Sequence, residues 1–420
     1  MKKQINLEVL PTNNDKGTQT GFKNSASIEP FHFMGSTSGS PDFWSFGSDN
    51  LFPYSLALLG RGVPIHRRIL NDKRDYTTGK GFICDDKNKD LIKFIEKVNK
   101  DGENLSSLVA KPIFDYWQGG NSYIEVVTNR KQSFLSFFHQ DYTKCRLNKE
   151  KTHIILNSDW CSYNKSESKF IPIYPVFEEL DGYMRSIIVY KDYEPMYTNY
   201  GVPNYISGLN VSAIAYKTDR WNISRLDNSF QLSGVMEIDA DEEDELKIER
   251  IKKTLEKKFK GNPGEVFFLL KNKVEEGRGT KFTPIASSNE GDWGTLHDSS
   301  NNDIIVAHSW FKELSGFDYT TGFSPERILY AYEIALNTVI RPTQNKIITP
   351  LRECIENILN IDASTLDFVN KPPITVKPSY MKVWEARKAD GMDFDENDPL
   401  QNIYLAELNK SKNGTSDNSK

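Results

Sequence analysis

The stretch from Asp292 to Leu314 constrains this chain more than any other. It reads as a helix, yet its first half is almost wholly polar (Asp292, Thr295, Asp298, Ser299, Asn301, Asn302), and it turns apolar only from Ile304 to Phe311. A helix that is polar on every side cannot sit by itself in a globular core; it needs water or identical neighbours on most sides. The pattern is a first hint of a ring.

This piece closes a longer unit, Ile206 to Gly316, that reads as helix, compact strand–helix–strand insert, then helix. The first helix covers Gly208–Arg225, with Leu209, Val211, Ala213, Ile214 and Trp221 as its apolar positions. A short apolar run, Gly234-Val235-Met236-Glu237-Ile238, leads into the acidic start Asp239-Ala240-Asp241-Glu242-Glu243. Leu246, Ile248, Ile251, Leu255 and Phe259 then form one stripe near the helical period. Carboxylates crowd the start of that helix and Lys257, Lys258 and Lys260 its end, which suits the macrodipole. Gly261 and Pro263 stop it, and Glu265–Leu270 follows as an apolar strand.

These residues resemble a known family. Asn228-Ser229-Phe230, Gly234-Val235-Met236, the charged helix and Gly264-Glu265-Val266-Phe267-Phe268-Leu269 look like the clip insert of tailed-phage portal proteins. Asn302-Asp303-Ile304-Ile305-Val306-Ala307-His308 with Leu314-Ser315-Gly316 is similar to the end of that family's second stem helix. Where the family usually has a proline pair, Ser309-Trp310-Phe311 stands instead. Further upstream, Gly47, Asn50 and Pro53 match a Gly-x-x-Asn-x-x-Pro opening seen in many portals, and Gly119-Gly120-Asn121-Ser122-Tyr123-Ile124-Glu125 resembles the portal wing, where a helix precedes a β-rich layer.

The resemblance implies an α+β fold: a wing at 41–205, stem helices at 206–228 and 290–314, a clip at 229–282 and a tunnel loop at 315–323. Wing or tunnel helices would fill 324–362 and a short crown or wing extension 363–408. It implies a ring, twelve-fold in the family, at one capsid vertex of a virion assembled in the host cytoplasm. Double-stranded DNA would pass through it. The terminase large subunit, a head-completion or adaptor protein and the major capsid protein would be its partners. Phe317, Asp318, Tyr319, Thr320 and Thr321 would face the DNA, and Glu290, Asp292, Asp298 and Asp303 would line the tunnel wall. Glu242, Glu245, Lys257, Lys271, Lys273 and Arg278 would dock the motor or adaptor. No cofactor, metal or membrane is implied, and the ATPase chemistry would belong to the motor, so the chain would be no enzyme.

The rest of the chain reads as follows. Residues 1–40 are rich in Asn, Thr, Ser and Gly and are expected to form a flexible arm. Helices are expected at Tyr54–Leu59, opened by Pro53, at Pro64–Tyr76, at Lys89–Asn99 and at Leu105–Gln118, the last closed by Gly119-Gly120. The basic cluster Arg67, Arg68, Lys73 and Arg74 reads as a solvated face. Asn121–Val127 alternates as a half-buried strand, and Tyr163–Pro172 and Ser186–Tyr190 are the clearest strands of an antiparallel region. Ser324-Pro325-Glu326 starts a further helix, Arg341-Pro342 bends or breaks it, and Ile347–Leu359 continues it. One more helix is expected within Glu385–Leu408, and disorder from Asn409.

Charge bears on any role with DNA. With 58 acidic and 53 basic side chains the chain carries −5, whereas a protein that grips phosphates would be basic. Twelve copies would carry roughly −60, so phosphates would be repelled and DNA would slide.

Catalytic patterns are absent from the sequence. The four cysteines, Cys84, Cys145, Cys161 and Cys354, show no CxxC spacing, and no two of the six histidines lie at metal-ligand spacing. There is no Gly-x-Ser-x-Gly elbow and no phosphate-binding loop. His308 reads as a satisfied core histidine, and Trp293 and Trp310 as packing residues. No run approaches the ~20 apolar residues of a membrane span, and no apolar signal core follows Met1-Lys2-Lys3-Gln4. Two other readings remain open. The Asp239–Glu245 carboxylates would suit a metal-dependent enzyme acting on nucleic acid. The aromatic content would suit a monomeric carbohydrate-binding protein, against which the missing export signal counts.

Overall fold

Two prolines set the opening of the fold, each bringing a helical φ and no N–H to a first helical turn. Pro53 stands in the first turn of α1 (Phe52–Gly62) and Pro64 begins α2 (Pro64–Thr78). The computed structural model describes residues 42–195, 197–227, 234–240, 267–272, 281–284, 290–316, 325–374, 381–389 and 392–405. A short strand β1 (Phe82–Ile83) precedes α3 (Lys89–Glu96) and α4 (Leu105–Gly119). Both helices start on an asparagine: Asn88 Oδ1 accepts from Leu91 N at 3.1 Å and Asn104 Oδ1 from Ser107 N at 2.8 Å, the usual use of Asn as an N-cap. The expected helix at 89–99 is shorter because Val98 N bonds Glu103 O and turns the chain instead.

Gly120, in the left-handed region at φ 68°, ends α4 and starts β2 (Asn121–Thr128). An antiparallel sheet runs in the order β3 (Ser136–Gln140), β2, β8 (Tyr183–Lys191), β7 (Glu178–Leu180). Ile124 lies opposite His139 on one side and Ile188 on the other. The expectation of a half-buried β2 is corrected here: all eight of its residues are buried, because it is an inner strand with helices and loops over both faces. A second sheet joins β4 (Cys145–Leu147), β5 (His153–Leu156) and β6 (Lys169–Pro172). The strand expected over Tyr163–Pro172 is only its last four residues, since the Asn164 side chain accepts from Ser166 N at 3.1 Å and turns 165–167 into a 3₁₀ segment.

The chain then forms α5 (Leu209–Asp227), β9 (Gly234–Ala240), β10 (Phe267–Asn272), β11 (Lys281–Pro284) and α6 (Glu290–Ala307). β9 is the middle strand, parallel to β10 and antiparallel to β11. A parallel pair needs a crossover of a dozen or more residues, and the 241–266 interval is long enough for one. The sequence reading had two strands here and missed β11. The helix expected from Leu246 to Phe259 lies outside the described residues, as do the arm 1–40, the loop residues 317–323 and the tail 409–420.

The expected 290–314 helix ends earlier, at Ala307. Ser309 takes a left-handed φ of 49°, Ser309 N bonds Val306 O at 2.9 Å and Trp310 N bonds Ile305 O at 3.4 Å. This is a Schellman stop, with Trp310 and Ile305 both buried. The break is made by a serine in the left-handed region, without a proline. A one-turn helix α7 (Lys312–Ser315) follows, capped by left-handed Gly316. Beyond it α8 (Pro325–Ala335) continues through a π-helical segment, Leu336–Ile340, into α9 (Arg341–Leu359), so Arg341-Pro342 does not break the helix. The extra residue of the wide turn absorbs the missing proline N–H. β12 (Asp367–Phe368) pairs with β1, and α10 is only Val383–Ala389, much less than the helix expected in 385–408. One hydrophobic core joins α1, α2, α4, the four-stranded sheet and α9, through Leu56, Ile69, Leu108, Ile124, Ile188 and Leu351 among others.

Candidate functional site at the paired helices

α5 and α6 pack against each other, and the residues that meet are small. Among the described side chains, Leu209, Ser212, Ala215 and Thr218 are the buried positions of α5, and Ser300, Ile304 and Ile305 are those of α6. At the foot of the pair a Cβ on Gly208 would stand 2.5 Å from Ala307 Cβ, so the backbones approach as closely as glycine allows. Of the apolar positions read from the sequence, Leu209 is buried but Ile214 is 40% exposed; Ile223 at 57% and, on α6, Val306 at 74% are exposed as well. Asp298 and Asp303 are exposed on α6 as well. Tyr330 and Ile334 present a further apolar pair on α8.

Glu290 and Asp292 belong to α6 by backbone and Lys271 to β10, with their side chains outside the described residues. Glu242, Glu245, Lys257, Lys273 and Arg278, and Phe317, Asp318, Tyr319, Thr320 and Thr321, also lie outside them. The acidic run from Asp239 is described only as far as Ala240. Among the described residues no group of three His, Cys, Asp or Glu could hold a metal ion, and no helix is long and apolar enough to cross a membrane.

Two buried polar centres stand out, and the first holds this pair to α2. The first lies where α6 ends. His66 Nδ1 and His308 Nε2 are 2.7 Å apart, and Lys73 Nζ donates to the His308 carbonyl at 2.6 Å. All three residues are fully buried. Tyr205 stacks on His308, and the Lys73 ammonium lies 4.4 Å from the Trp117 ring centre and 5.8 Å from that of Trp310. A lysine at a helix C-terminus suits the macrodipole. Lys73 is thus no part of a solvated basic face, and His308 stands just past its helix. Nor is His308 fully satisfied: His66 Nε2 and His308 Nδ1 are buried with no hydrogen-bond partner among the described residues. Whichever ring donates, one N–H and one lone pair stay unpaired, each costing about 1–3 kcal/mol. Beside this cluster the Arg68 guanidinium meets Asp72 at 3.1 Å, and Trp310 Nε1 donates to Ser315 Oγ at 3.0 Å.

Half of this centre was legible. His66, Ile69, Leu70, Lys73 and Thr77 fall at helical spacing and are the buried stripe of α2; a lysine on such a stripe is a signal. The approach of His308, 242 positions away, had none.

The second centre explains the Gly-x-x-Asn-x-x-Pro opening. Asn50, at φ 63°, accepts at Oδ1 from Phe46 N at 3.0 Å and from Arg146 Nε at 2.6 Å. Arg146 also donates to the carbonyls of Asn50, Thr143 and Cys145 at 2.6–3.0 Å and lies over the Trp160 ring. It is fully buried, and among the described residues no carboxylate pairs with it. Burial lowers its pKa from the usual arginine value.

A separate cleft of about 720 Å³ opens on the sheet between the 97–101 loop and Phe134, Tyr183 and Arg185. The Glu125 carboxylate at its floor accepts from Arg185 Nη1 at 2.5 Å and Gln140 Nε2 at 2.6 Å. The Glu125 charge is thus matched by Arg185 within the cleft. Near it His139 bonds Asp115 at 2.7 Å, and Asp115 in turn accepts from Tyr142 N at 3.1 Å, fixing a turn.

No family profile matches this sequence, and no curated protein matches it. Solved structures do. A chain in the neck of an empty gene transfer agent particle aligns at a TM-score of 0.50 with 14% identity, over 82% of this chain and 94% of that one. A chain of the native gene transfer agent virion aligns at 0.49 over the same shares. An HK97 family phage portal protein from Corynebacterium diphtheriae aligns at 0.44 with 12% identity, over 76% of this chain and 97% of that one. At such identities the likeness is one of fold, and the neck chain at 0.50 is what carries it. The chain shares its fold with that neck chain, an α+β architecture in which a helix–sheet body carries two paired helices with a small sheet inserted between them.

Proposed function

We propose that this chain is a portal protein: copies close into a ring, twelve-fold by the family resemblance, at one capsid vertex of a virion. Double-stranded DNA passes through the ring during packaging and ejection. The observation that carries the reading is the outer surface of the paired helices. Ile214, Ile223 and Val306 are exposed beside Asp298 and Asp303, a mixed surface that a lone chain would leave wet and that neighbouring copies would cover. Its likeness in fold to a particle-neck chain supports the same reading. The net charge of −5 suits a conduit that lets phosphates slide past.

The reading has a direct test. The full chain at micromolar concentration should sediment as a closed oligomer and show rings in negative stain. Ile214→Asp with Val306→Asp should shift it towards monomer while leaving the circular dichroism spectrum unchanged. A stable wild-type monomer would sink the proposal.

On this reading, 229–282 is the clip that docks the terminase large subunit and later an adaptor, the major capsid protein surrounds the ring, and 315–323 narrows the tunnel. Deleting 241–260 should leave rings that no longer capture the motor. Tyr319→Lys should leave rings that retain less DNA per head, because lysine would grip phosphates that a neutral hydroxyl only touches. Motor capture and DNA retention at wild-type levels would refute these two assignments while leaving the ring itself untouched.

A further inference from the structure

We propose that His66, Lys73 and His308 form an acid-released latch that holds the end of α6 against α2. The geometry has three parts. The Lys73 ammonium caps the last carbonyls of α6 at the His308 oxygen, 2.6 Å away. The two imidazoles touch at 2.7 Å across the α2–α6 contact, with Tyr205 packed on both rings. Each ring keeps one buried nitrogen without a partner among the described residues. An apolar filling of the same volume would join the helices without those penalties; the polar filling makes the joint responsive to protons.

The charged groups around the rings all have one sign. Lys73 and then Arg67, both on α2, act on His66; Lys73 and then His66 act on His308. Trp117 of α4 and Tyr205 ahead of α5 bring aromatic faces and no charge. The nearest carboxylate on α2, Asp72, is engaged with Arg68. A proton arriving on either ring therefore meets burial first and a cation second. Accordingly His66 is held down to about 3 and His308 well below its ordinary 6.5, chiefly by burial. Burial likewise lowers Lys73 to about 7.

The sign follows from linkage. A histidine whose folded pKa is depressed leaves the closed state intact above 6.5, and the closed state loses stability as pH falls from 6.5 towards the folded pKa. Opening the joint lets the rings accept protons at their ordinary pKa. Between pH 7 and pH 5 each exposed histidine shifts the equilibrium about 25-fold towards the open state. The end of α6 and the turn 308–311 are thus freed before the core is.

Hydrogen exchange read by mass spectrometry on the full chain tests this, with rates corrected for intrinsic pH dependence. Between pH 7 and pH 5 the protection of 304–316 should fall at least tenfold, while 347–358 in α9 keeps its own. His66→Gln with His308→Gln, which retains hydrogen-bonding side chains that do not titrate, should abolish the change. A second variant covers the case in which that double replacement does not fold. Lys73→Met removes the ammonium from the His308 carbonyl, so 304–316 should already be at least tenfold less protected at pH 7 than in wild type. A fall under threefold in wild type, an equal fall in the double variant, or wild-type protection of 304–316 at pH 7 in Lys73→Met would each overturn the latch.

Discussion

Gly120→Ala should lower the thermal unfolding midpoint by about 2–6 °C, the largest shift expected from one added methyl group here. Gly120 stands at φ 68°, where an L-residue costs about 1–2 kcal/mol. Its added Cβ would lie 2.1 Å from the Val202 carbonyl carbon and 2.5 Å from Pro203 N, both backbone atoms that cannot rotate away. Overpacking of that kind adds about 1–3 kcal/mol, for a total of about 2–5 kcal/mol and the stated shift. The contact also has a second side: a Cβ on Gly201 would stand 2.3 Å from the Gly120 oxygen. Asn121 seals the joint, accepting from Gly201 N at 2.7 Å and donating to the carbonyls of Gly201 and Gly119 at 2.8 and 2.9 Å. This is where the chain leaves the sheet for α5, so the variant should also loosen the paired helices. Calorimetry showing a shift under about 1 °C would mean that the 201–203 backbone gives way cheaply.

Arg146→Met should cost about 3–5 kcal/mol, because it strips a charged donor from three buried carbonyls and from Asn50 Oδ1, each left acceptor costing about 1–3 kcal/mol. Asn50 keeps its bond from Phe46 N, which limits the loss. Arg146→Lys should recover less than half, since one ammonium cannot reach the Asn50 side and the Thr143–Cys145 side as a planar fork does. The 42–53 segment should be released first, as it is tied to β4 by Arg146, by Trp44 N to Leu147 O at 2.9 Å, and by Tyr200, which donates to the Trp44 carbonyl at 2.5 Å and accepts from Leu147 N at 2.9 Å. Limited proteolysis near residues 42–50 reads that release directly. A lysine variant as stable as wild type would show that charge alone, rather than the fork, holds the segment.

Much of the architecture was written locally. Prolines at helix starts, asparagines as caps and Gly120 at a helix end each act within four residues. The helices α1, α2, α4, α5 and α8 and the strands β8, β9 and β10 were accordingly legible, and so was the portal resemblance carried by the insert between α5 and α6. The stop of α6 was not. It depends on a serine held in a left-handed conformation by the packing of Trp310 on Ile305, and no pattern in Ser309-Trp310-Phe311 announces that.

Face assignment is where local reading failed. Period alone cannot say which side of α5 is covered, and the structure buries Ser212 and Thr218 while exposing Ile214, because small residues let α6 approach. Burial of β2 on both faces and of Lys73 within α2 has the same cause, since what covers a residue arrives from distant parts of the chain. The local pattern by itself determined the elements and their order. Only the tertiary structure decided that His66 meets His308 and that Arg146 meets Asn50, because a contact between residues far apart in the chain leaves no periodic trace in either segment.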